Sequence, residues 1–159
     1  MRNILSCLIT LCLFSVSLAA GHQDSTPSQK EKCLACGMFV AMFADRNASI
    51  EFKDATQAIF CGAKCMFKYY LNMNKYNPSK SKIDVNVISV KDYHSAASID
   101  ARQAFFVIWS DVYGPMGHEP IPFEKEPDAK KFLKEHKGKK ILRFKDIDPK
   151  LIISLDNPE

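Results

Sequence analysis

The chain has 159 residues, with 22 basic against 18 acidic side chains and a formal net charge of +4. That excess is too mild and too evenly spread to indicate a nucleic-acid partner, and it reads as ordinary solubility. No apolar run beyond residue 20 approaches the length of a membrane span, which excludes a stable transmembrane protein.

Residues 1–20 read as a secretory signal: Arg2 supplies the charge, residues 4–18 a mostly apolar run, and Ser17-Leu18-Ala19 a small-residue cleavage pattern. Leu5-Ser6-Cys7 looks like a lipoprotein cleavage box but comes before any adequate apolar run, so a lipid anchor is not expected. Cleavage near Ala19 leaves about 140 residues, the size of one compact domain or two small ones. Cys7 and Cys12 leave with the signal, and four cysteines remain.

Residues 21–32 are polar, contain Pro27, and read as a flexible leader with little to bury. The folded part is expected from Cys33. Phe39-Val40-Ala41-Met42-Phe43 suits a strand, Asp45-Arg46-Asn47 a turn and Ile50-Glu51-Phe52-Lys53 a second strand, together a hairpin. From 55 to about 73 the pattern turns helical, with Phe60, Met66, Phe67, Tyr70 and Met73 at three- and four-residue intervals. Residues 85–90 alternate and are β-branched, as a strand requires, and polar residues 91–100 form a link.

The second half repeats that order. Residues 104–109 read as a strand, 118–123 as a strand broken by Pro120 and Pro122, 128–136 as a helix and 141–144 as a third strand. Pro127-Asp128 suits a helix entry; Lys134, His136, Lys137 and Gly138 suit an exit, with cations at the negative end and glycine at the stop. Residues 146–155 read as a short helix or turn and a docked tail. The expected fold is α+β, two ββαβ units over 33–92 and 93–159, each too small for a self-sufficient core and therefore packed together or pinned by metal or disulfide. Nothing in the pattern specifies an oligomeric state.

Cys33-Leu34-Ala35-Cys36-Gly37-Met38 puts two thiols and a thioether in one short turn. Soft sulfur at that density favours Cu(I) over harder divalent ions, and Gly37 lets the backbone turn. Tyr113-Gly114-Pro115-Met116-Gly117-His118 offers another thioether and an imidazole on a bent backbone. The two turns read as halves of one Cu(I) site: Cys36 and Met116 as ligands, Met38 beside them, His118 as an accessory ligand or supporting group.

Cys61 and Cys65 are spaced i and i+4, placing both thiols on one helix face near its start. With Cys33 and Cys36 they form C-x2-C, 24 residues, C-x3-C, a pattern that also fits a structural Zn(II) site. Disulfides within each pair are a further possibility in an oxidising compartment. A thioredoxin-like enzyme is disfavoured, because there the C-x-x-C opens a helix after a buried strand. His94 and His136 read as surface residues, and His22 would matter only at a newly freed amino terminus. Phe39, Phe43, Phe52, Phe60, Phe67, Tyr70, Trp109 and Phe144 read as core, and Met42, Met66 and Met73 as packing.

Cys36-Gly37-Met38, Asp92-Tyr93, Ile99-Asp100-Ala101, Ala104 with Val107, the Gly114-Pro115-Met116-Gly117 turn and Ile121-Pro122-Phe123 resemble the NosL family of nitrous-oxide reductase accessory proteins. The resemblance runs from about 33 to 147. It implies a non-enzymatic periplasmic Cu(I) chaperone built from two ββαβ units, with nitrous-oxide reductase or another periplasmic copper enzyme as its partner. Many members are lipoproteins, a point on which this chain departs. The extra Cys33, Cys61 and Cys65 resemble a TRASH- or YHS-type metal-binding module.

Overall fold

The structure, a computed structural model, describes residues 28–157. The signal reading over 1–20, the leader up to 27 and His22 lie outside the described residues.

After a 3-10 turn at Val40–Phe43 come β1 (Ala48–Phe52), β2 (Gln57–Phe60), α1 (Ala63–Leu71), the single-turn α2 (Met73–Tyr76), β3 (Val85–Lys91) and β4 (Ser98–Asp100). The second unit has β5 (Phe105–Ile108), a two-residue ribbon of β6 (Tyr113–Gly114) and β7 (Gly117–His118), then β8 (Ile121–Phe123), α3 (Glu126–Glu135), β9 (Lys140–Arg143) and α4 (Pro149–Ser154). The sheets run β2-β1-β3-β4 and β8-β5-β9, all antiparallel. Each places its unit's first strand at the centre, between the second strand and the strand that follows the helix. The α+β fold expected from the sequence is the one observed.

Three local readings are corrected. Residues 39–43 are not a strand: the segment makes one bridge, Lys32 with Phe39, and Val40 N donates to Glu31 O at 2.9 Å, so it wraps the chain just before the cysteines. Only Val40 of the 3-10 turn is buried, while Phe39 and Met42 are exposed at 45% and 70%. The hairpin partner of β1 is instead β2, in register Ala48 with Phe60, so the apolar stretch assigned to the helix's first turns is strand. Their connection is fixed by Asp54 Oδ1, which accepts from Thr56 N at 3.2 Å and Thr56 Oγ1 at 2.6 Å, an Asx turn. The polar link contains β4, which pairs Ile99 with Val90 and extends the first sheet beyond residue 92.

One continuous core spans both units, uniting Ile50, Phe60, Met66 and Phe67 with Phe106, Ile108 and Leu142. Strand β5 alternates, sending Phe106 and Ile108 to this shared core and Val107 to a second cluster with Ile121, Phe123, Ala129 and Phe132. Phe67 on α1 is the bridge, its ring 5.2 Å from Phe106 and 5.0 Å from Phe144. Asp92 ties the units further: Oδ1 accepts from the backbone of His94 and Ser95 at 3.1 and 2.9 Å, and Oδ2 from Glu124 N at 2.8 Å. Burial pushes that carboxyl up, but these donors outweigh it and hold it below the ordinary range. Helix α4 starts under an Asp148 cap and docks with Ile152 and Leu155 buried. Among the described residues no helix is long and apolar enough to cross a membrane.

Candidate metal centre

The first cysteine pair sits on a tight loop closed by backbone hydrogen bonds. Cys33 N donates to Met38 O and Gly37 N to Cys33 O, both at 2.8 Å. Gly37 has φ +79°, in the left-handed region where a Cβ is strained, which explains glycine after the second thiol. Leu34 N donates to Ile59 O at 3.3 Å and pins this loop to the end of β2. Cys61 follows β2 directly, Gly62 caps α1, and Cys65 stands in the first helical turn.

These two local structures bring all four sulfurs together, each Sγ within 4.8 Å of every other. Cys36 Sγ lies 3.5 Å from Cys61 Sγ. All four thiols are free, so neither sequence-local disulfide is present. Cys33, Cys61 and Cys65 are buried, while Cys36 is half-buried and forms the open side.

Hydrogen bonds from Cys61 and Cys65 stabilise the Cys33 thiolate and hold its pKa far below the ordinary thiol value, overcoming burial. Cys61 and Cys65 are pushed up, first by bonding to Cys33 and also by burial. Of these three, Cys33 gives up its proton most readily, while Cys61 and Cys65 hold theirs. A bound soft cation replaces those protons, so binding releases them to solvent.

The ribbon between β6 and β7 puts Pro115 and Met116 at its tip, with Gly117 at φ +81°. Met116 is half-buried and packs against the core cluster that includes Cys33, Cys61 and Cys65. Met38 is half-buried at the end of the cysteine loop. His118 stands outside the four-sulfur group; its ring lies 5.2 Å from Trp109 and 4.8 Å from Tyr113, and its buried Nδ1 has no hydrogen-bond partner among the described residues.

Two residues that the sequence reading passed over join the turns. Glu119 is buried, and its Oε2 accepts from Lys64 N at 2.9 Å. A Cβ on Gly62 would come within 2.8 Å of Glu119 Oε1, and one on Gly114 within 2.2 Å of Glu119 Cγ. Both glycines therefore make room for this carboxyl. Lys64 is fully buried, and its Nζ donates to the Met116 carbonyl. The one signal in the sequence was a lysine between Ala63 and the apolar run Cys65-Met66-Phe67, where a solvated face was not available.

Burial pushes the Glu119 carboxyl up to about 7 from an ordinary 4.5, against the Lys64 amide and charge that pull it down. A carboxyl raised on folding binds its proton more tightly in the folded state. Its contribution is therefore complete below 4.5 and is lost as pH rises towards about 7, at about 1.4 kcal/mol per unit. Urea denaturation of the reduced, metal-free wild type and Glu119→Gln, read as the difference between them so that the opposite slope of the lowered Cys33 thiol cancels, will show wild type losing stability relative to the variant across that window. An unchanged slope in the variant would assign the proton to another group.

A family model described as NosL matches residues 24–152. The copper-binding lipoprotein NosL of Stutzerimonas stutzeri is 27% identical over 125 residues, covering 77% of this chain; the chain spans 64% of that relative's length. The crystal structure of the copper chaperone NosL from Shewanella denitrificans superposes with a TM-score of 0.68 at 24% identity, over 79% of this chain and 96% of that one. The fold agrees with that structure, and the match along most of the sequence places the chain in the NosL family.

Proposed function

We propose that this protein is an exported Cu(I) carrier that supplies copper for the copper-sulfide centre of nitrous-oxide reductase in the periplasm. The observation that carries this reading is the ring of four soft sulfurs with one half-exposed member, Cys36. Thiolate and thioether donors select Cu(I), and low coordination with an accessible ligand lets a cargo leave. The names of the relatives, a copper-binding lipoprotein and a copper chaperone, support the same cargo and an extracytoplasmic location. Neither is named as an enzyme. A thiol-disulfide enzyme is disfavoured by placement, since the Cys33/Cys36 loop comes before β1 and leads into a 3-10 turn instead of opening a helix after a buried strand.

Anaerobic competition against a chromophoric Cu(I) chelator tests the ligand set. Cys36→Ser and Met116→Leu will each weaken Cu(I) binding by about tenfold or more, about 1.4 kcal/mol. Affinity unchanged in both variants would place the cargo elsewhere. Transfer is then read as gain of copper by nitrous-oxide reductase made without it.

A second reading has its own observation. Four thiols surrounding one point, three of them sealed, suit tetrahedral Zn(II) with Zn–S bonds of about 2.3 Å. One zinc per chain in protein purified without added metal, lost in Cys61→Ser, would support a zinc-stabilised module.

A further inference from the structure

Lys64 sits next to Cys65 in the chain and holds the Met116 ribbon at both of its own ends. Its backbone N–H donates to Glu119 Oε2 at 2.9 Å, and its Nζ donates to the Met116 carbonyl. A lysine with no exposed surface needs its charge answered, because an unpaired buried ammonium is costly. The answer comes from the C-terminal tail: Asp156 Oδ1 lies 3.0 Å from Lys64 Nζ, and Asp156 Oδ2 lies 2.6 Å from Lys68 Nζ, one turn along the same helix. Sulfur ring, thioether turn and chain end are thereby joined through one side chain.

We infer that Lys64, held by Asp156, is a positioning residue that clamps the Met116 turn against the cysteine ring and so determines whether the thioether shares the Cu(I) ion. The inference rests on the Cu(I)-carrier reading and adds the device that assembles its two loops. Lys64 touches no cargo; it acts through the Met116 carbonyl. Loss of the clamp leaves the four cysteines in place but frees the second turn.

The test uses protein carrying 13C-methyl methionine, titrated with Cu(I) without oxygen, the Met116 methyl signal being assigned by its absence in Met116→Leu. In wild type this signal moves on Cu(I) addition. In Asp156→Asn the movement shrinks, affinity falls about fivefold, and the same change adds nothing further in a Met116→Leu background, as expected of two residues acting through one contact. Asp156→Glu keeps a carboxylate and recovers part of the response. Lys64→Leu gives the larger effect where it folds; Asp156, with a side chain 37% exposed, provides the variant that does not empty a buried site. A full Met116 response and full affinity in Asp156→Asn, with only a lowered melting temperature, would reduce the pair to a structural ion pair and overturn the clamp. Wild-type protein that takes up no Cu(I) would overturn the carrier reading together with the clamp.

Discussion

Removing bound metal from the loaded protein will lower its melting temperature by about 12–20 °C, and Cys65→Ser will sit at the lower value with or without metal. The four cysteines are not appended to a finished core. Cys33, Cys61 and Cys65 belong to the main cluster, at 2%, 0% and 0% exposure, alongside Phe60, Met66 and Phe67. Without metal, that cluster keeps three sulfurs away from water, and an ion adds bonds that the metal-free fold lacks. An ion that binds only the folded state adds about 4 kcal/mol at a thousandfold excess over its dissociation constant. A domain of this size converts each kcal/mol into about 3–5 °C. Calorimetry of Cu(I)-loaded and chelator-treated protein, both reduced, makes the comparison. Equal melting temperatures would mean that the cluster gains no support from an ion. Cys36→Ser separates the roles, since Cys36 is half-exposed and its loss costs affinity with less effect on the metal-free fold.

Phe67→Ala will destabilise the protein by about 3–5 kcal/mol, much of the stability of an ordinary domain. Phe67 has no exposed surface and is the ring through which α1 of the first unit meets Phe106 and Phe144 of the second. Its removal leaves a cavity where α1 meets the second unit. Urea denaturation followed by the Trp109 signal and by far-ultraviolet dichroism gives the measurement. In wild type the two coincide; in the variant the Trp109 transition, which reports the second unit, comes earlier. A loss below about 1 kcal/mol would show that the halves are held by other contacts.

The parts of the fold legible in the sequence were those whose local pattern and tertiary environment agree. Residues 85–90 alternate and lie inside a sheet; Pro127 and the cationic exit framed α3 to within two residues. The order strand, strand, helix, strand is present in both units, but in the first the sequence pattern takes residues 39–43 for a strand and gives β2 to the helix. The failures have a common cause. Phe39 and Met42 are apolar but project from a loop whose shape is dictated by the cysteines, so a pattern that assumes burial reads them as strand. Ala58, Ile59 and Phe60 lie immediately before a helix, and Phe60 falls by coincidence into its period. The joining of the C-x2-C and C-x3-C pairs into one ring was visible as spacing alone. Lys64 and Glu119 were not visible, because their reason for being buried lies on the opposite unit, 55 residues away in the chain.

The single accessible sulfur gives metal traffic an order. A competing ligand from solution meets Cys36 first among the four cysteines, because the other three are buried. Displacement therefore proceeds stepwise, each new bond forming before the next old one yields, and the ion is never bare. The rim sulfur thus bears on both holding strength and rate of surrender, whereas the three sealed sulfurs bear on holding strength and are reached last.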